Sequence, residues 1–221
     1  MPDAQIIFNI LFSASVYSLI AISFSVIYYP TKFFHIAHAT VITSGAYFVF
    51  FFANKCSIPF SLAVSLSIAS ATLLGILCEL VVYRYMRKKN VPALAYLIAS
   101  IGLYVILQNI ISLYFGDDTK IINTGEIKVG NQIFGAYITT IQLVTIGVSF
   151  VLFVSVNLFL QFSSTGKSIR AVSSNSELSN IYGINSNKII LFSFGIGSAL
   201  AAIAGILSAM DTNMTPTFGF N

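Results

Sequence analysis

The chain has 221 residues, of which 57% are hydrophobic and only 8% charged, and its mean hydropathy is +0.88. That is more apolar surface than a water-soluble domain can hide, so lipid is the expected solvent. A net charge of +4 makes no case for nucleic acid, and two cysteines, Cys56 and Cys78, give neither a disulfide framework nor the spacing of a metal pair.

A membrane-spanning helix needs about 20 apolar residues. Six stretches qualify in chain order: 5–29, 36–53, 58–83, 91–115, 137–161 and 188–209. The expected fold is an all-α, polytopic membrane helix bundle of about six spans, read as one transmembrane domain over residues 1–221. The first segment lacks a basic flank and a small-residue cleavage site, so it is predicted to stay as an anchor. It carries small residues at Ala14, Ser18, Ala21 and Ser25. The second span is the shortest and is expected to be weakly tilted or partly broken.

His35 and His38 sit at its start. An H-x-x-H pair shares one helix face and can hold a metal. No Asp, Glu or Cys lies between residues 4 and 55, so interfacial hydrogen bonding is expected instead. The third span carries Ser67, Ala71 and Gly75, and the sixth Ser193, Gly197, Ala201 and Gly205. Small residues four apart let helix backbones approach closely in lipid. Glu79, near the end of the third span, is followed by Arg84 and Arg87 and is predicted to form an interfacial ion pair with them. Gln108 and Asn109 put two amides inside the fourth span. Each is either interhelical glue or part of a polar path.

Residues 116–136 form the longest loop on the side of the N-terminus. The turn chemistry of Gly116, Asp117 and Asp118 ends the fourth helix, and alternating residues around Gly130-Asn131 predict a small hairpin. Residues 162–187 form a polar island between two apolar helices. Ser174–Glu177 fits an S-x-x-E capping box, and Gly183 supplies the left-handed residue that ends a short helix. Leu178, Ile181 and Tyr182 fall on one face of that helix. Two helices this short are not stable alone in water, so they are expected to dock on something.

With the N-terminus outside, the inner loops hold Lys32, Arg84, Arg87, Lys88, Lys89, Lys167, Arg170 and Lys188. The outer loops hold Lys55, Lys120 and Lys128. Eight bases against three favour that orientation.

Several of these segments resemble a known family. GKSIRAVSSNSELSNIYGIN (166–185) and the helix after it are similar to the cytoplasmic loop and following helix of the branched-chain amino acid ABC transporter permeases. The matching residues are Gly166, Arg170, Ala171, Glu177, Gly183, Ile184 and Asn185, then Ala201 and Gly205. FFHIAHATVITSGAY (33–47) resembles the family's I-N-F-A-H-G…G-A-Y motif, with Ala37, His38, Gly45, Ala46 and Tyr47 in register. His35 stands where the family has Asn, and Ala39 where it has Gly. Residues 15–29, 79–87 and 97–116 resemble the first helix, the end of the third and the fourth.

The resemblance implies one membrane half of an ATP-driven importer for branched-chain or other aliphatic amino acids, in the cell inner membrane and without cofactors. It implies a second permease subunit, two cytoplasmic ATP-binding subunits and an extracytoplasmic solute-binding protein. It places ATPase coupling on Gly166, Arg170, Glu177 and Gly183, and a translocation path at His38, Gly45, Gln108 and Asn109. Urea and short amides are the alternative cargo. Family members continue past PTFGFN with further spans, whereas this chain stops at Asn221 and is expected to be a truncated or fragmentary permease.

The chain is not expected to be an enzyme. TGKS at 165–168 matches only the tail of the G-x-x-x-x-G-K-[ST] phosphate loop and follows a membrane helix rather than a strand. An ion-coupled carrier needs intramembrane acids, and only Glu79 qualifies. A membrane enzyme built on His35 and His38 lacks carboxylates at a common depth.

Overall fold

The computed structural model describes residues 2–122, 130–133 and 136–220. Helix α1 is Pro2–Thr31, α2 His38–Phe50, α3 Phe60–Cys78, α4 Arg84–Lys88, α5 Ala93–Phe115, α6 Thr140–Phe162, α7 Ser164–Ser174, α8 Ser176–Ile181 and α9 Ser186–Asp211. Widened π turns extend α2 over Phe51–Lys55 and join α3 to α4 over Glu79–Tyr83. Five stretches are long and apolar enough to cross a bilayer: Ala4–Thr31, Phe60–Lys88, Ala93–Phe115, Thr140–Phe162 and Ser186–Asp211. The fold is an all-α polytopic bundle. The expected second span is different in kind. Helix α2 with its π extension runs over His38–Lys55 but is not among the five apolar spans, and most of α2 is buried by its neighbours.

Helix α9 is the axis of the bundle and packs on α1, α2 and α3. Its small residues explain why. A Cβ added at Gly205 would lie 2.1 Å from the Ile42 carbonyl oxygen, and one at Gly197 2.5 Å from Ile27 Cγ1. Ser193, Gly197, Ala201 and Gly205 are all buried, as are Ser67, Ala71 and Gly75 of α3. These two stripes are helix–helix contacts, where dispersion between close backbones replaces the missing hydrophobic drive. The stripe on α1 behaves otherwise. Ala14 and Ala21 are exposed, and the buried face of α1 holds Leu19, Ser23, Val26 and Ile27. One residue of rotation separates the face that looked packable from the face that packs.

A sharp test follows from the glycines. Gly205→Leu forces α2 and α9 apart and is expected to destabilise the bundle by about 1–3 kcal/mol or more. Gly102 has nothing within 4 Å of an added Cβ, so Gly102→Leu is expected to leave the melting temperature in detergent unchanged.

The two ends of the bundle are held by different contacts. At one end the Gln5 side chain pairs with the backbone of Tyr137, accepting from its N–H at 2.8 Å and donating to its carbonyl at 3.1 Å. Lys120 and Met214 exchange backbone hydrogen bonds at 2.9 and 3.0 Å. The hairpin of this end pairs β1, Gly130–Ile133, with β2, Ala136–Thr139. Gly130 and Asn131, around which the hairpin was predicted, therefore lie within strand β1, and residues 134–135 lie outside the described residues. The upstream TKII segment supplies only the Lys120 bridge, and residues 123–129 lie outside the described residues. Thr139 and Gln142 form a capping box at the start of α6, a T-x-x-Q signal that the sequence reading passed over.

At the other end, Lys32 turns the chain at φ +57° after α1, the α4 turn carries Arg84, Arg87 and Lys88, and α7 and α8 form an elbow. Glu79 is fully buried and is bonded by Arg87, whose Nε also donates to Asn187 Oδ1 at 3.1 Å. The predicted ion pair is thus present with Arg87 as partner. It ties the end of α3 to the start of α9.

Candidate functional site

Two places in the bundle carry chemistry beyond packing. The first is the elbow between α6 and α9. Ser163 caps α7, its hydroxyl accepting from Gly166 N–H at 2.8 Å. Gly166 must be glycine for steric reasons: an added Cβ would lie 2.3 Å from the Phe159 carbonyl oxygen and 2.7 Å from Leu160 Cα. Its absence lets α7 fold tightly back on the end of α6. Ile169 and Val172 bury the inner face of α7. Arg170 donates to the Gln161 carbonyl at 3.3 Å, where a cation complements the C-terminal end of α6. Lys167 is exposed.

Helix α8 is capped by Asn175, whose Oδ1 accepts from Leu178 N–H at 2.9 Å. The capping box read at Ser174 and Glu177 is therefore not formed, and a single side-chain cap one residue on takes its place. Ser174 closes α7 instead, and Asn175, at φ −156° and ψ 108°, has the extended backbone of a cap. Glu177 lies in the first turn, where its charge complements the helix N-terminus. Gly183, at φ +82°, ends α8 in a Schellman closure. Ile184 N–H bonds the Ser179 carbonyl at 2.9 Å and Gly183 N–H that of Asn180 at 3.1 Å. Ser186 ties the elbow to α9, donating its hydroxyl to the Ser176 carbonyl at 3.0 Å and its N–H to Asn180 Oδ1 at 3.0 Å.

Polar clamps therefore hold α8, since among its residues only Ser179 is buried. Its apolar side chains point away. Leu178 is 49% exposed, Ile181 80% and Tyr182 78%. The expected amphipathic face exists, but the chain itself leaves it uncovered.

The second place is the turn at residues 32–37. Instead of crossing on the surface, it dips into the bundle. Ala37 N–H donates to Ser100 Oγ at 3.0 Å, and Ser100 is seven residues into α5. His38 Nε2 bonds Ser23 Oγ at 2.8 Å. Ser23 is eight residues from the end of α1, about 12 Å along the helix axis. His35 Nδ1 bonds the Tyr83 hydroxyl at 2.9 Å. His35 precedes α2, so the two rings do not share a helix face as the H-x-x-H spacing implied. They meet through the turn, with ring centroids 5.8 Å apart. Among the described residues no group of three His, Cys, Asp or Glu side chains is placed to hold a metal.

Residues 6–221 match the family model described as the branched-chain amino acid transport system permease component. The chain belongs to this permease family. It is 32% identical to the high-affinity branched-chain amino acid transport system permease protein BraD of Pseudomonas aeruginosa, over 98% of this chain and 74% of the relative. The permease proteins LivH of Salmonella typhimurium and of Escherichia coli K12 are each 31% identical over 92% of this chain and 69% of their own length. No solved structure matches.

The permease chain is thus a multi-pass membrane protein whose predicted site residues fall into separate groups. Gly166, Arg170, Glu177 and Gly183 come together on the elbow. The four path residues do not form one cluster. His38 is in the buried turn. Gly45 is a packing point, where an added Cβ would lie 2.7 Å from Ala202 Cα and where its carbonyl accepts from Ser67 Oγ at 2.6 Å. Gln108 and Asn109 are on α5, the helix with the fewest buried residues among the five spans. Asn109 is exposed and bonds the Val105 carbonyl of its own helix at 2.7 Å. Sequence reasoning missed Ser23, Tyr83 and Ser100, the partners of the buried turn. Single hydroxyls in apolar helices give no periodic signal, and only the turn's descent brings them to one place.

Proposed function

We propose that this permease is one membrane half of an ATP-driven importer of branched-chain or other aliphatic amino acids, with the elbow of residues 162–187 in the cytoplasm as its coupling element. In this reading a second permease subunit completes the pathway, two ATP-binding subunits grip the elbows, and an extracytoplasmic binding protein delivers the cargo to the side of residues 116–136. The N-terminus is outside.

The observation that supports it most directly is the exposed apolar face of α8. A helix of six residues has no stability of its own. Here it is held rigid by Asn175, Gly183 and Ser186 while Leu178, Ile181 and Tyr182 stand in solvent. Aromatic and aliphatic anchors on a rigid turn are what a protein partner buries. Gly166 couples that turn to the membrane, because α7 cannot shift without moving the end of α6. Movement of the partner is thereby passed to the helix bundle as rigid-body motion.

The test is uptake by the assembled transporter in proteoliposomes. Leucine accumulation is expected only with ATP on the elbow side and is expected to stop when a non-hydrolysable analogue replaces it. Uptake that persists without ATP-binding subunits contradicts the reading and favours an ion-coupled carrier.

A further inference from the structure

Between α1 and the corner of α6 and α7 lies a cleft of about 420 Å³. Helix α1 lines it with one face, residues 18, 21, 22, 25, 26 and 29, and the small side chains of Ala21 and Ser25 hollow it. Across from them stand Phe153, Asn157 and Leu160 of α6 and Ile169 and Arg170 of α7. From Ser18 to Tyr29 the cleft runs about 16 Å along the helix axis, half the roughly 30 Å of a bilayer's hydrocarbon core. It is therefore one leaflet deep, and it reaches the elbow end, where α1 finishes and α7 begins. A partner helix that crosses the bilayer would need twice that length.

Below its mouth the cleft behaves as an apolar groove. Ser18 Oγ donates to the Ser15 carbonyl at 2.8 Å, Ser25 Oγ to that of Ala21 at 2.7 Å and Asn157 Nδ2 to that of Phe153 at 2.8 Å. Hydroxyls bonded back to their own helix have no donor left for a polar solute. Charge enters only at the mouth. Arg170 donates to the Gln161 carbonyl at 3.3 Å, which uses one of the several N–H groups of a guanidinium. Among the described residues no carboxylate pairs with it. Lys167, one turn before it on α7, is exposed, and Lys32 Nζ stands 6.0 Å from the ring centre of Tyr29, which lines the mouth. No Asp or Glu lines the cleft. The mouth is thus cationic and the groove beneath it apolar.

We infer that this cleft binds an anionic phospholipid of the elbow-side leaflet, with its phosphate on Arg170 and one acyl chain between α1 and α6. A planar guanidinium matches a phosphate, an apolar groove one leaflet deep matches an acyl chain, and basic pockets between membrane helices are where acidic head groups bind. An added Cβ at Gly166 would strike Phe159 and Leu160, so α7 is packed tightly on the end of α6, and Leu160 is itself a wall of the cleft. A lipid seated there braces the elbow against α1. Arg170, placed in ATPase coupling by the family resemblance, is thereby given a lipid partner. The site requires the chain to lie in a membrane and does not depend on what is transported.

The chain has no tryptophan, so a single introduced one reports on its own surroundings. Phe153→Trp puts it on the wall of the cleft, and Ile98→Trp on an exposed position of α5 near the same end. Each full-length variant is reconstituted in vesicles of phosphatidylcholine and phosphatidylglycerol, with bromine on the acyl chains of one lipid or the other. In Phe153→Trp, brominated phosphatidylglycerol is expected to quench at about 5-fold lower mole fraction than brominated phosphatidylcholine, and in Ile98→Trp the two are expected to quench alike. Adding Arg170→Gln to Phe153→Trp is expected to remove the preference, and Arg170→Lys to keep part of it. Ser25→Leu fills the groove and is expected to weaken quenching by both lipids. Equal quenching by the two lipids in Phe153→Trp, the same preference in Ile98→Trp, or a preference that survives Arg170→Gln overturns the site. Quenching by neither lipid in Phe153→Trp means that protein covers the cleft, and overturns it too. Loss of the preference on adding inorganic phosphate at constant ionic strength overturns the lipid assignment in favour of a free anion. None of these outcomes depends on ATP-driven uptake, so the lipid site and the importer reading fail separately.

Discussion

Ile181→Asp combined with Tyr182→Ala is expected to abolish ATP-driven uptake while leaving the permease in the membrane at normal abundance. Both side chains are more than three-quarters exposed, so neither change disturbs the bundle. If they anchor an ATP-binding subunit, truncating them costs about 2–4 kcal/mol of docking energy, or about 30- to 1,000-fold in affinity. Pull-down of the ATP-binding subunits measures the loss directly. Gly183→Val is expected to give the same outcome by a different route. At φ +82° a β-branched residue is strained, the Schellman closure opens, and α8 leaves its clamps without losing any of its surface residues.

The second large effect is at the Glu79–Arg87 pair. Arg87→Ala takes the bonded counter-charge from a carboxylate buried in the bundle and leaves it only the weaker attraction of Arg84. Such losses cost about 3–5 kcal/mol. The lower end applies here because a quarter of the Arg87 side chain is exposed. Expected results are poor accumulation and a clear drop in melting temperature. Glu79→Gln in the same chain removes the orphaned charge and is expected to restore most of the stability. A double variant no better than Arg87→Ala alone contradicts the assignment of this pair as the tie between α3 and α9.

How far the sequence could be read depended on whether a feature was local. Spans declare themselves by length and apolarity, so five of them appear close to their expected positions. The small-residue stripes of α3 and α9 proved to be packed because the helices bear them on their buried faces. The stripe of α1 followed the same spacing and stayed open, since periodicity says which residues share a face and not which face is covered. The elbow was legible down to Gly183, whose left-handed turn is a property of one residue. Its cap slipped by one position because Asn175 and Ser174 both suit the role and only the end of α7 decides between them. The histidine turn was the least legible part. Its partners come from α1, the π turn after α3, and α5, and nothing in their local sequence marks them as neighbours.

The same distinction separates the two candidate sites. The elbow was anticipated because its chemistry is contiguous in the chain. The histidine turn emerges only when α1, the end of α3 and α5, far apart in sequence, are brought together around residues 32–37.

ATP-driven coupling through this permease requires the elbow to face the cytoplasm and to receive a separate ATP-binding subunit there. A single cysteine at Ile181, with Cys56 and Cys78 replaced, tests both points in intact cells. The expected result is a crosslink to an ATP-binding subunit whose yield changes with bound nucleotide, together with protection from membrane-impermeant thiol reagents applied outside. Labelling of Ile181→Cys from the outside, with no crosslink to any ATP-binding subunit, would contradict the account.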